Sequence, residues 1–126
     1  MAHELRMDAD GILRLALIGN MKQEDVDAYV KDLAPFRETA TETEPLFFII
    51  DTSRLGKASS AARKAFGELA KDPRIGKSAL VGVSRYVRVL AGFLAKAAGR
   101  DNIQFFDSEE EALAWLKAGD QVAHTT

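Results

Sequence analysis

The segment Leu46-Phe47-Phe48-Ile49-Ile50 is apolar throughout and hands over directly to Asp51-Thr52-Ser53. A strand that is apolar on both faces must be covered on both faces. That condition is met chiefly in parallel sheets flanked by helices. The polar triplet then arrives where such a strand should end. In an open α/β sheet, ligands and partners are met at the carboxyl ends of the strands. The segment therefore constrains an architecture and marks a place on it, without specifying a chemistry.

The rest of the chain supplies elements on either side. Glu4 to Met7 is a short strand, and Asp8-Ala9-Asp10-Gly11 is a turn. Ile12 to Ile18 is a second strand, ending at Gly19, and the two form a hairpin. Asn20 caps the next helix with Gln23 as its reciprocal partner. Glu24 and Asp25 fall in its first turn, where the helix dipole favours acids. Val26, Tyr29, Val30, Leu33 and Phe36 give it one apolar face, and Pro35 marks its end. Residues 37–45 are a polar loop.

After the apolar strand, residues 52–57 read as a connection. A helix from Ser59 to Lys71 turns Ala62, Phe66, Leu69 and Ala70 inward, and Asp72-Pro73 closes it. Ala79 to Val83 is another buried strand. Tyr86, Val89, Leu90, Phe93, Leu94, Ala97 and Ala98 recur at helical spacing up to Gly99, a helix-ending glycine. Ile103 to Phe106 is a short strand near an edge. Ser108-Glu109-Glu110-Glu111 is a capping box opening a last helix. That helix buries Ala112, Leu113 and Leu116, with Trp115 on the flank of the buried face. Gly119 ends it, and residues 119–126 form a frayed tail. The order β-β-α-β-α-β-α-β-α implies a single α/β domain with right-handed crossovers. Its sheet is mixed but mainly parallel, with about five strands and four helices.

Several function classes are excluded or left without support. The 126 residues contain no cysteine, so disulfides, thiolate nucleophiles and cysteine metal sites are ruled out. The two histidines, His3 and His124, lie near opposite ends, and no metal cluster or histidine base is expected. No phosphate-binding glycine loop or nucleophile elbow occurs. No cofactor is implied. A pI near 5.7 and few aromatics interleaved with basic residues argue against a nucleic-acid platform. No apolar run approaches the ~20 residues that span a bilayer, and no signal-peptide core follows Met1. The expectation is a cytoplasmic, non-catalytic domain.

The net charge of −2 is unevenly spread. Residues 1–51 hold 5 Lys/Arg against 11 Asp/Glu, residues 52–100 hold 11 against 2, and residues 101–126 hold 1 against 6. A basic central third makes an anion-attracting face conceivable, and interleaving on folding would disperse it. Asp51 is placed to bond a ligand or, with Thr52 and Ser53, to cap the following backbone. Ser53, Lys57, Ser59, Ser60, Arg63, Ser84, Arg85 and Arg88 fall after the two buried strands. If those strands are neighbours, these residues share one rim suited to a protein partner or a small anionic or amphipathic ligand. The 85–99 helix is apolar over much of its circumference. Three outlets for that surface are a ligand pocket beneath it, a second subunit forming a homodimer, and central burial.

The combination resembles a known family. Gly19-Asn20-Met21 precedes a helix with Glu24-Asp25, and Phe48-Ile49-Ile50-Asp51-Thr52-Ser53 follows. Then come Lys71-Asp72-Pro73-Arg74-Ile75-Gly76 before Ala79-Leu80-Val81-Gly82-Val83, Asn102 to Phe106, and Glu111 to Leu116. Over residues 4–118 this is similar to the STAS domain of bacterial anti-sigma-factor antagonists, and more narrowly to its SpoIIAA-like branch. The resemblance implies a regulatory or interaction module. In antagonist members a serine in an Asp-Ser-Ser-Gly motif, at the start of the helix after the central strand, is phosphorylated. Ser60 falls at that position, with Ser59 in place of the Asp and Ala61 in place of the Gly. The branch is also similar to lipid-exchange domains, which implies as an alternative a carrier or sensor of a lipid-like ligand.

Overall fold

The computed structural model describes the backbone of residues 2–125 and the side chains of residues 2–117. A five-stranded sheet runs β1-β2-β3-β4-β5 in both sequence and space. Strand β1 (His3–Met7) pairs antiparallel with β2 (Leu13–Met21), from His3 opposite Leu17 to Met7 opposite Leu13. The turn between them is organised by Asp8. Its carboxylate accepts from the Asp10 and Ile12 N–H groups and from Arg14 Nε, at 2.9, 3.0 and 2.9 Å. Desolvation pushes the Asp8 pKa up, but those bonds outweigh it and hold the carboxyl below its ordinary range.

Strands β3 (Leu46–Ala58), β4 (Ile75–Val81) and β5 (Ile103–Phe106) continue the sheet, each parallel to the strand before it. Each parallel step moves one place in the same direction. The right-handed crossovers that make those steps put their helices on one face. These are α1 (Gln23–Thr39), α2 (Ser60–Ala70) and α3 (Arg85–Ala98). Under them Leu13, Leu15, Phe48 and Leu80 meet Val26, Leu33, Ala62 and Val87. Helix α4 (Glu109–Thr125) follows the last strand and packs on the other face, where Ala112 and Leu116 meet Ile49, Ala79 and Val81. Covering on both faces is what the apolar run 46–50 required.

Several boundaries differ from those read in the sequence. Asn20 lies in β2 and is not the cap of α1. Lys22 holds that position, and Asp25 closes it by accepting the Lys22 N–H at 2.8 Å. Asn20 Oδ1 instead accepts from Lys57 N–H at 2.9 Å, bridging β2 to β3. Pro35 sits inside α1, which continues to Thr39. A proline removes one backbone bond, and the last turn is held independently by Phe36 in the core and by Arg37 against Asp72. Strand β4 begins at Ile75 and stops at Val81, earlier than the expected 79–83 span.

The largest difference is in β3, which continues through Asp51 and the expected connection 52–57 to Ala58. Pairing with β4 stops at Asp51, opposite Val81. Pairing with β2 goes on through Arg54, Leu55 and Ala58, with irregularities that twist the extension. The second half of β3 therefore projects beyond β4 as a two-stranded flap with β2. At the C-terminal side, α4 passes through Gly119 to Thr125. The tail expected at residues 119–126 lies outside the residues whose side chains are described.

Candidate interaction surface

Backbone alternation decides where the polar residues after Ile50 point. Asp51 follows Ile49 in facing the α4 side. It lies half-buried in a polar groove of about 370 Å³ with Arg14, Arg54 and Glu109, on the part of that face α4 leaves open. Its carboxylate accepts the Ser53 N–H at 2.9 Å. Thr52 points the opposite way, is only 3% exposed, and its hydroxyl donates to the carbonyls of Val81 and Gly82 at 3.2 and 3.3 Å. Gly82 has φ of 67°, and a Cβ there would stand 2.7 Å from Ser53 Cβ. Only glycine allows the end of β4 to lie this close to the β3 flap.

The helix side of the same edge carries the two serine-capped helix starts. Ser59 Oγ accepts the Ala62 N–H at 3.1 Å, and Ser59 N–H donates to Met21 O at 2.9 Å. Ser84 Oγ accepts the Val87 N–H at 3.2 Å. Ser60, the first residue of α2, is exposed, and its hydroxyl accepts from Arg63 at 3.1 Å. Neither α2 nor α3 has an acid in its first turn, so nothing there offsets the positive ends of their dipoles.

Tyr86 couples the two starts. Its hydroxyl accepts the Ala58 N–H at 3.0 Å and donates to Ala58 O at 3.3 Å. Lys57 Nζ lies 5.7 Å from the Tyr86 ring centroid, within cation–π range.

The eight residues expected to form one rim, and Asp51 with them as a ninth candidate, are thus divided. Lys57, Ser59, Ser60 and Arg63 gather at the start of α2. Ser84 and Arg85 stand at the start of α3, tied to them through Tyr86. Ser53 is exposed at the turn of the flap, and Asp51 is on the far face of the sheet. Arg88 turns to the flank of α3 away from α2, with its guanidinium 4.6 Å from the Phe105 centroid. The basic third disperses further. Arg54 pairs with Glu4, Lys77 lies over Phe47 and Trp115, and Arg74 and Arg100 bind the chain around Asp72.

The apolar stripe of α3 also lies elsewhere than expected. Val87 and Ala91 are the buried positions, whereas Val89 and Phe93 are 56% and 69% exposed. With Leu90 and Leu94 they wall a groove of about 590 Å³ against α2. A smaller apolar pocket of about 120 Å³, open to the surface, lies between the sheet and α2–α3, lined by Phe48, Ile50, Phe66, Leu69, Leu80 and Leu90 among others. His3, set aside in the sequence reading, is buried, with Nε2 2.7 Å from Asp32 Oδ2 and its ring edge-on to Tyr29. It fastens β1 to α1. The Tyr86 clamp and the exposed Phe93 were the features sequence reasoning missed, because Tyr86 and Phe93 share a helical spacing with core residues.

Among the described residues no cluster of His, Asp and Glu has the makings of a metal site. No helix of the described chain is long and apolar enough to cross a membrane. The fold and this edge define a small mixed α/β domain of the STAS type. The SpoIIAA-like family profile matches residues 12–117, and the chain belongs to the SpoIIAA-like family. Among solved structures it is similar to an uncharacterised DUF3478-family protein with a SpoIIAA-like fold from Shewanella loihica PV-4. That likeness has a TM-score of 0.72 at 18% identity, over 91% of this chain and 92% of the other. It is also similar to the anti-sigma factor antagonist SpoIIAA in its unphosphorylated form, with a TM-score of 0.65 at 17% identity, over 92% and 98% of the two chains. At these identities the likeness establishes the shared fold. No curated protein sequence matches the chain.

Proposed function

We propose that this domain is a non-catalytic interaction or regulatory module of the cytoplasm, engaging a protein partner or a small anionic ligand where α2 and α3 begin. The observation that carries this reading is the setting of Ser60. Its hydroxyl is exposed in the first turn of α2, hydrogen-bonded to Arg63, with no acid in that turn. A phosphoryl group on Ser60 would gain the helix dipole, unpaired N–H groups and a guanidinium. The likeness to an anti-sigma factor antagonist whose structure is that of its unphosphorylated form agrees with such a role.

The test is to isolate the partner from native cells on the tagged chain, identify it by mass spectrometry, and titrate it calorimetrically. Ser60→Asp should shift its affinity about tenfold, a change of ~1.4 kcal/mol, while Ser60→Ala leaves the fold intact. Equal affinity for wild type and both variants would count against the switch.

The apolar pocket between the sheet and α2–α3 supports a second reading, a carrier or sensor of an apolar ligand. Its volume of about 120 Å³ limits the occupant. A cavity of ~150 Å³ takes a benzene-sized molecule, so a fatty acyl chain requires the helices to part. Native mass spectrometry before and after denaturation checks this. A single apo mass in both would exclude a retained ligand.

A further inference from the structure

We infer that the groove between α2 and α3 is a docking site for an acidic amphipathic helix of a protein partner. The inference deepens the interaction-module reading and rests on it. Val89 and Phe93 are two of only three large apolar side chains exposed among the described residues. The third, Met7, lies on the edge strand. Both belong to one helix and both face the same groove. Exposed apolar residues scattered singly are ordinary, but a pair walling a concave groove is a recognition feature.

Charge selects the occupant. The α2 wall presents Arg63, Lys64 and Lys71, and its one carboxylate, Glu68, is engaged by Lys71 at 3.4 Å. Helix α3 contributes no charged side chain to the groove. In a chain of net charge −2, this is a local excess of positive charge around an apolar strip. The cations line one wall and the apolar side chains the other. A helix with an apolar face and a carboxylate-bearing flank matches that division, with anchors at the spacing of successive turns. A bilayer surface is flat and cannot fill the concavity beside Gly67.

One glycine points the same way. Gly67 lies in the groove, and an added Cβ would find only Leu94 Cδ2 at 3.6 Å, an ordinary contact. It is not required by the fold, and glycine weakens a helix interior. Its missing side chain leaves room for another backbone to approach.

The test uses the intact chain and three probes. One is a synthetic helix with leucines at i, i+3, i+4 and i+7 and glutamates on its flanks. The second has lysines in place of the glutamates. The third is vesicles of phosphatidylglycerol and phosphatidylcholine in equal parts. Peptide affinity is read by fluorescence anisotropy and vesicle binding by co-sedimentation. The acidic peptide should bind about tenfold tighter than the lysine peptide, more weakly as salt rises, and about tenfold more weakly to Phe93→Ala. Phe93 is exposed, so its truncation leaves the fold unchanged, which circular dichroism verifies. Equal affinity for the two peptides, or an acidic-peptide affinity that Phe93→Ala leaves unchanged, overturns the proposal. So does retention on vesicles without peptide preference, which would assign the surface to membrane. A chain that fails here yet passes the Ser60 comparison keeps its role as a module and loses only the groove.

Discussion

One hydroxyl, that of Tyr86, satisfies both the N–H and the carbonyl of Ala58, at 3.0 and 3.3 Å, across 28 residues of sequence. Ala58 is the last residue of β3, and the next residue caps α2. The start of α3 is thereby fixed relative to the start of α2. Tyr86→Phe removes both bonds and leaves two backbone groups of a buried residue without that partner. The expected cost is about 1–3 kcal/mol, seen as a lower urea midpoint with an unchanged slope. Loss of the fixed geometry should also broaden the amide resonances of Ser59 and Ser60 in NMR spectra.

The two adjacent serines should separate by function. Ser59 Oγ caps α2 by accepting the Ala62 N–H, and Ser59→Ala should destabilise the chain by about 1 kcal/mol. Ser60 is exposed, with Arg63 as its only hydrogen-bonded side chain among the described residues. Ser60→Ala should alter stability by less than ~0.5 kcal/mol. Chemical denaturation of both variants checks the pair. A larger loss at Ser60 than at Ser59 would reverse the assigned roles.

Acid should weaken the junction between α1, α2 and β4. The Arg74 side chain bonds the Asp72 carboxylate, and despite some desolvation the further bonds and charges of Arg74 and Arg37 hold its pKa below the ordinary 3.8. A carboxyl depressed in the folded state contributes stability that is fully present above its unfolded pKa. That contribution is lost as pH falls through the folded pKa. The gap in unfolding free energy between wild type and Asp72→Asn should therefore be constant near neutral pH. There it should be about 2 kcal/mol, and it should close below 3.8. Urea titrations at stepped pH measure it. A gap that persists unchanged into strong acid would remove the ion pair as its cause.

The element order was legible because its signals are local. An apolar run marks β3, helical stripes mark α1 and α2, and Gly99 ends α3 as the sequence suggested. What escaped is set by pairing at a distance. Residues 52–57 look like a loop, yet they are strand because β2 extends to Met21 and offers them a partner. Once they are strand, alternation sends Asp51 and Thr52 to opposite faces, and the single expected rim cannot form. Helix α3 is apolar over much of its circumference, so periodicity alone could not tell the buried Val87 and Ala91 from the exposed Val89 and Phe93. That distinction depends on which side the sheet lies.

Three glycines should respond to alanine in opposite directions. At Gly67 and Gly92 the backbone is helical and a Cβ meets an ordinary contact or open space. Alanine there reduces the freedom of the unfolded chain and restores helix propensity, so each substitution should stabilise by about 0.5–1 kcal/mol. At Gly82 the φ of 67° is unfavourable for alanine, and the new Cβ would press on Ser53 Cβ at 2.7 Å. Gly82→Ala should destabilise by about 1–3 kcal/mol, forcing the β3 flap from the end of β4 and stretching the Thr52 bonds. Denaturant midpoints of the three variants test the sign at each site. A destabilised Gly67→Ala would mean that the α2–α3 contact lacks the space seen beside Leu94. If Gly67→Ala proves more stable, that glycine serves something other than folding, and the peptide titration with this variant asks whether that is close approach in the groove.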